Sequence, residues 1–390
     1  MRRLIEVDGL FDGERVVEHA AIVVEDDRIA WVGRRGHVPR SVGATTAVDA
    51  PGRFALPGLI NCHAHLTLDG SADFSAATRR PVAAQTLTAF RSARAALRSG
   101  VTLVRDLGAA GTTVIELARE IERGGIEGPR ILAAGRGVTT TGGHGLEIAR
   151  MADGEDEVRK AVREQLMDGA RCIKLFSTGG VLGEGARPEV SQFSAAETRA
   201  AVEEAHKAGV RITTHAHGAE GVRIAVQSGV DSIEHATMLD RRAVQLLNEK
   251  DVAIVPTLSA LAAIMANLDS VPAHVRERAQ VTAARHHESV RLAHQAGVRI
   301  AAGTDAGTPF NTHDAFAEEL RLLAEVGLSR EQALAAATSV AARVVGADGS
   351  GRIGPGARAD LVFVDGDPTK DLAVLRSPRG VWVRGEAAPL

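Results

Sequence analysis

Two histidines one residue apart, His63 and His65, close an apolar run in Asn61-Cys62-His63-Ala64-His65. In a strand, residues i and i+2 face the same side, so both imidazoles point one way while Cys62 and Ala64 point the other. Two imidazoles on one face can grip a divalent cation. Alone, such a pair is more often packing or surface than ligand, and its weight comes from companions. Lys174 lies inside Cys172-Ile173-Lys174-Leu175-Phe176, where a bare ammonium is costly to bury. Either it is salt-bridged, or it is carboxylated by CO2, which turns a cation into an anionic two-oxygen ligand. His215 ends Thr213-Thr214-His215, His235 ends Ser232-Ile233-Glu234-His235, and Asp305 follows Gly303-Thr304.

These residues need elements that bring them together. Strand-like runs occur at 59–65, 102–106, 130–134, 172–176, 211–215, 232–235, 253–257 and 299–303. Amphipathic stretches at 83–98, 156–167, 195–208 and 276–296 alternate with them. Gly100, Gly209, Gly229 and Gly297 mark helix ends, where a left-handed cap suits glycine. The alternation predicts an α/β protein with a parallel sheet, closed as a (β/α)8 TIM barrel over residues 54–350. The gaps between candidates run in whole strand–helix units, except the short step from His215 to His235, which a short helix near 218–227 explains. Each candidate then sits in or just after a barrel strand, mostly at its C-terminal end, where such barrels build their sites. Helical stretches follow at 315–325 and 330–345. Residues 1–53 carry a hairpin (21–24 and 28–32), and the tail returns to strands at 360–365 and 381–383. The reading is a small β-sandwich domain formed by both chain ends, 1–53 plus 351–390.

The bulk properties are those of an ordinary globular chain. Of 390 residues, 45% are hydrophobic and 24% charged, with a net charge of -3. That balance points to a small-molecule substrate and away from nucleic acid or an anionic membrane. No apolar run approaches the ~18 residues of a membrane span. Cys62 and Cys172 are far apart and suggest no disulfide, which with the absence of a signal-like start implies a reducing, cytoplasmic setting. Tyrosine is absent.

The sequence resembles the amidohydrolase superfamily, in its prolidase-like and imidazolonepropionase-like branch. The resemblance rests on Leu56-Pro57-Gly58-Leu59-Ile60-Asn61-Cys62-His63-Ala64-His65, Ile173-Lys174-Leu175-Phe176-Ser177-Thr178-Gly179-Gly180 and His215-Ala216-His217-Gly218. It continues through Ser232-Ile233-Glu234-His235-Ala236-Thr237 and Gly303-Thr304-Asp305-Ala306-Gly307, and covers nearly the whole chain. It implies a hydrolase of amide-type C–N bonds with two divalent cations, zinc foremost. His63, His65 and Asp305 would hold the more buried ion and His215 and His235 the more exposed one. Carboxylated Lys174 would bridge them, a hydroxide between the ions would attack, and Asp305 would pass the proton to the leaving amine. The resemblance thus gives Asp305, His235 and Lys174 catalytic roles.

Substrate contacts are expected from His144 in a glycine loop, His217 beside His215, Arg136 after the third strand and His313 after the eighth. Each has a plain alternative as a locally bonded or surface residue. His286 and His287 are expected to face solvent on a long helix. A deaminase is the nearest enzymatic alternative, but related deaminases place a glutamate where this chain has Gly218 and lack the strand-four lysine. A non-catalytic scaffold would have lost its ligands, and all six positions are filled here. Cyclic amides, carbamates, lactones and phosphotriesters remain open to the same two-metal chemistry. Relatives often carry an aromatic two residues before Val255-Pro256-Thr257, where this chain has Ala253. That departure predicts a less polar or bulkier substrate than a simple dipeptide. Family habit favours a homo-oligomer.

Overall fold

The computed structural model describes residues 2–43, 45–183 and 185–389. The chain begins with β1 (Arg2–Phe11) and β2 (Val16–Glu25), paired antiparallel. Alternation puts Ile5 and Val7 inside while Glu6 and Asp8 face out. β2 turns into β3 (Arg28–Arg34) through Asp26, whose φ of 53° suits a two-residue hairpin. β4 (Thr46–Val48) and β5 (Phe54–Pro57) follow, both parallel to β1.

The barrel strands are β6 (Leu59–Ala64), β7 (Val101–Asp106), β8 (Arg130–Ala133), β9 (Gly137–Thr139), β10 (Ala149–Met151) and β11 (Cys172–Phe176). They continue with β12 (Arg211–Gly218), β13 (Ser232–Met238) and β14 (Ala253–Val255). All pair in parallel, in the orders β6-β7-β8 and β10-β9-β11-β12-β13-β14. Helices such as Val82–Arg98, Gly154–Asp168, Ala195–Lys207 and Ala273–Gln295 lie between the strands. They bury small residues against the strands, as Ala200, Ala201 and Ala205 do.

Three expectations meet a modified outcome. The third strand is split: Gly135 takes φ 68°, β8 ends at Ala133, and β9 carries the pairing on to β11 through Val138 and Leu175. The eighth segment, 299–303, forms no regular ladder. It is tied to β14 by Ile254 N to Arg299 O (2.9 Å) and Ala301 N to Ile254 O (3.0 Å), and to β6 by Cys62 N to Ala302 O (3.0 Å). These bonds close the ring. A side chain at Gly303 would sit 2.4 Å from Val255 and 2.9 Å from the His63 nitrogen, so the segment can approach this closely only with a glycine there. The helical stretch 330–345 is two helices, Arg330–Ala336 and Ser339–Val345, parted where Thr338 leaves helical geometry (φ -133°, ψ -97°).

After the barrel, β15 (Leu361–Val364), β16 (Gly380–Val383) and β17 (Glu386–Ala387) return to the N-terminal strands. The order is β17-β16-β15-β5-β1-β2-β3, with β4 also on β1. Both chain ends thus share one mixed sheet, with β5 as their meeting line. In place of two separate sandwich layers, one hydrogen-bonded path runs through seven strands, with β4 attached beside it on β1. Ile5, Ile22, Leu361, Phe363 and Trp382 form its core. Among the described residues no helix is long and apolar enough to cross a membrane.

Candidate metal centre

The strand ends bring His63, His235 and Asp305 together, with one donor atom of each within 4.8 Å of the others. Nε2 of His63 and Nε2 of His65 each lie 3.2 Å from Oδ1 of Asp305. The His215 and His235 ring centroids are 4.5 Å apart, and those of His63 and His235 5.1 Å.

Each of the four rings has one nitrogen committed away from this centre. His65 Nδ1 donates to the Gly108 carbonyl (3.0 Å) and His215 Nε2 to that of Gly179 (3.1 Å). His235 Nδ1 donates to the Thr257 hydroxyl (2.7 Å), whose own proton goes to Pro256 O (2.6 Å). His63 Nδ1 lies 2.8 Å from Oε2 of Glu234. A ligating histidine needs this arrangement, because the bond on one nitrogen leaves a lone pair on the other. With those protons placed, Nε2 of His63, Nε2 of His65 and Oδ1 of Asp305 turn three electron pairs toward one another. That arrangement is repulsive until a cation sits among them. Asp305 Oδ1 and Lys174 Nζ are both buried without a hydrogen-bond partner among the described residues. The donor set therefore fits divalent cations.

The electrostatics agree except at His65, where burial is outweighed by the Asp305 and Asp106 carboxylates, which raise its imidazolium above the ordinary histidine value. Burial pushes the His63 imidazolium down to about 4, helped by Lys174 and opposed by Asp305 and Glu234. Burial and neighbouring histidines hold His215, His217 and His235 well below the ordinary histidine value, so these rings are neutral ligands or hydrogen-bonding groups at neutral pH. Burial would raise the Asp305 carboxyl, but His63, His65 and Lys174 outweigh it and hold it near 2. Burial lowers the Lys174 ammonium to about 8 despite the pull of Glu234 and Asp305. Its amine is thereby closer to the neutral form that reacts with CO2.

The backbone is strained at the same place. His235, Ala236, Thr257 and Asp305 have φ of 72°, 51°, 55° and 55°, a region that non-glycine residues rarely enter. Ser289, on helix Ala273–Gln295, supports this turn by donating to Ala236 O (2.5 Å).

The remaining candidates divide. His144 comes to the mouth, its ring 4.6 Å from His215 and 5.6 Å from Phe176. Gly180 leaves room for it, since a Cβ there would lie 2.3 Å from the His144 ring. His217 also comes in, stacked on His235 at 4.9 Å and bonded through Nδ1 to Thr237 (2.9 Å). His313 is buried and spends Nε2 on Leu68 O (2.9 Å), which joins the loops after β6 and after segment 299–303. Arg136 is not drawn in. It is exposed at the kink between β8 and β9, with its backbone held by Gln165 of an outer helix (2.8 Å).

His286 corrects an expectation. It is buried, not solvent-facing, and contacts the backbone of His235 and Pro256. It belongs to a stripe with Ala279, Thr282, Ser289 and Ala293, a helical spacing visible in the sequence. Sequence reasoning also passed over Arg105 and Glu234, both buried in barrel strands. A charged residue within Val101–Asp106 was the available signal.

Residues 54–388 match the amidohydrolase family model, and the chain belongs to that family. It is a metal-dependent hydrolase acting on amide-type C–N bonds. Among its relatives is ochratoxinase of Aspergillus niger, 30% identical over 96% of this chain and 84% of that protein. Imidazolonepropionase of Salinispora tropica is 29% identical over 89% of this chain and 86% of its own length. The crystal structure of a Xaa-Pro dipeptidase with methionine in its active site superposes with a TM-score of 0.91 at 32% identity, covering 100% of both chains.

Proposed function

We propose that the protein hydrolyses the amide bond of a dipeptide, an N-acyl amino acid or a related small amide at a two-zinc centre. The observation behind this reading is the set of lone pairs of His63, His65 and Asp305 facing one another beside the orphaned Lys174 amine. His63, His65 and Asp305 would hold one ion and His215 and His235 the other, with carboxylated Lys174 between them. When bound, such ions polarise a carbonyl and lower the pKa of water from 15.7 to about 7. The protein's own groups supply the rest. Asp305, held ionised, takes the proton of the attacking water on its carboxylate and returns it to the leaving amine. His144 and His217, neutral at the mouth, orient the substrate, with His313 further out.

An apolar cluster joins Val181, which follows Gly180 beside His144, to Leu261 and Ile264 of helix Leu258–Met265 and to Phe310 in the loop after Asp305. It supports the expectation of a bulkier or less polar substrate than a simple dipeptide. Deamination is disfavoured sterically as well as by residue type. A Cβ at Gly218 would lie 2.6 Å from the Glu189 carbonyl, so a glutamate has no room there. The division into 1–53 with 351–390 and 54–350 belongs to the same proposal, amended by β5, which pairs inside the small sheet. So do a cytoplasmic setting, a homo-oligomer, and partners limited to small molecules.

The test is a mass-spectrometric screen of zinc-loaded protein against Xaa-Pro dipeptides, N-acyl amino acids, cyclic amides, aryl amides, carbamates, lactones and phosphotriesters. Release of amine and acid from one amide class is the expected result. Turnover confined to lactones or phosphotriesters would overturn the choice of bond.

A further inference from the structure

Four histidines face the centre, and only one of them leans on a charge. The outer nitrogens of His65, His215 and His235 bond neutral oxygens, those of Gly108, Gly179 and Thr257. That of His63 faces the Glu234 carboxylate at 2.8 Å. A lone pair so close to an anion would be repelled, so Nδ1 carries the proton and Nε2 keeps its lone pair for the centre. The N–H is not aligned on Oε2 as in an ideal hydrogen bond, yet neither atom has any other hydrogen-bond partner among the described residues.

The carboxylate is itself held. Its Oε1 accepts from Arg105 Nη2 (2.7 Å) and from the Thr213 hydroxyl. Arg105 is anchored by Nε to Cys62 O (2.6 Å) and by Nη1 to Ser232 Oγ (3.2 Å). Both side chains are almost inaccessible, at 1% and 0% exposure. A buried ion pair of this kind contributes little net stability, so stability alone does not explain it. Its bonds run from β7 through β13 to the first candidate ligand on β6. The left-handed turn at His235 breaks strand alternation. Adjacent residues can then both serve the barrel interior, Glu234 behind His63 and His235 in front of it.

We infer that Glu234, held by Arg105, is a positioning residue that keeps the proton of His63 on Nδ1 and its Nε2 turned to the centre, and so makes the His63, His65 and Asp305 pocket the tighter of the two metal pockets. A carboxylate behind a ligating histidine fixes its tautomer and raises its donor strength. Removing such a partner typically costs about 10–100-fold in metal affinity. The inference rests on the two-metal reading above, and the test separates the two.

Apoprotein is titrated with zinc against a chromophoric chelator, and with cobalt while its visible absorption is followed. Wild type should bind two ions with unequal affinity. Glu234→Gln should weaken the tighter step by about 10–100-fold, leave the weaker step within about twofold, and change the cobalt spectrum of the first ion. Because that variant strands Arg105, the pair Arg105→Met/Glu234→Gln removes both charges together and should show the same loss. Two equal sites in wild type would overturn the inference without any variant. So would a folded variant with unchanged affinities and spectrum. Failure of wild type to bind metal at all would sink the two-metal reading instead.

Discussion

In the small sheet, Ile5, Ile22, Leu361 and Phe363 fill the interior, while charges pair at the surface, as in Arg2–Glu25 and Arg3–Glu386. At the barrel mouth, His63, Lys174, Glu234 and Asp305 are drawn inside, and four residues take left-handed backbone conformations. The sheet leaves its own left-handed residues, His19, Asp26 and Arg384, exposed at the surface, and its interior follows the rules that make a chain stable. The mouth breaks them where ionisable groups must face one another, and the surrounding packing offsets the cost. Stability and chemistry should therefore be separable by mutation, and four measurements press on that separation.

The largest effect is expected at the mouth. Lys174→Ala should lower amide turnover by about 10³-fold or more, since on the two-metal proposal it removes the ligand shared by both ions. Metal content should fall from two ions, and added short-chain carboxylates should restore part of the activity. Full activity in this variant would remove Lys174 from the centre. The sheet supplies the converse. Phe363→Ala should cost about 3–5 kcal/mol of stability, read by chemical denaturation, with metal content per folded molecule unchanged. A loss of metal at equal folded fraction would show that the two regions are coupled.

Smaller effects sharpen the boundary. His144→Asn should lower kcat/KM by about 10–100-fold, the cost of one hydrogen bond to a charged or developing-charge group, with metal affinity unchanged. Equal turnover would return His144 to a packing role against Phe176. Glu319 tests the layer behind the mouth. It is buried and accepts from the amides of Leu258 (3.0 Å) and Ser259 (2.8 Å), just after Thr257, the partner of His235. Burial raises its carboxyl from 4.5 to about 7. The fold therefore holds this proton more tightly than the unfolded chain does. The associated stability is complete below 4.5 and is lost as the pH rises through about 7. Across that window the melting temperature of Glu319→Gln should gain on wild type by a few degrees. Parallel curves would place the Glu319 carboxyl at its ordinary value.

Much of this site could be read from local pattern. Strand alternation put His63 and His65 on one face, and the strand–helix count set Lys174 within a strand and His215, His235 and Asp305 at or just after strand ends. What escaped depends on which strand lies beside which. Glu234 and Arg105 are 129 residues apart, and neither has meaning until β7 and β13 face each other across the barrel. The split at Gly135 and the irregular segment 299–303 also escaped, because a barrel's closure is decided by steric fit between strands and not by any one strand's propensity. His286 is a different case. Its buried stripe was present in the sequence, and the charged residues around it hid the spacing.

One feature of the chain path has a mechanical meaning. β5 belongs to the small sheet and β6 to the barrel, and only Gly58 separates them. A Cβ at Gly58 would collide with Thr102 at 2.0 Å, so this pivot has no slack. Tension applied through the N-terminal strands would pass along β5 and Gly58 into β6, the strand that carries His63, while the C-terminal strands join the barrel by their own link, residues 346–360. Immobilisation or fusion ahead of β1 is therefore expected to register at the catalytic pole, on the far side of a link one residue long.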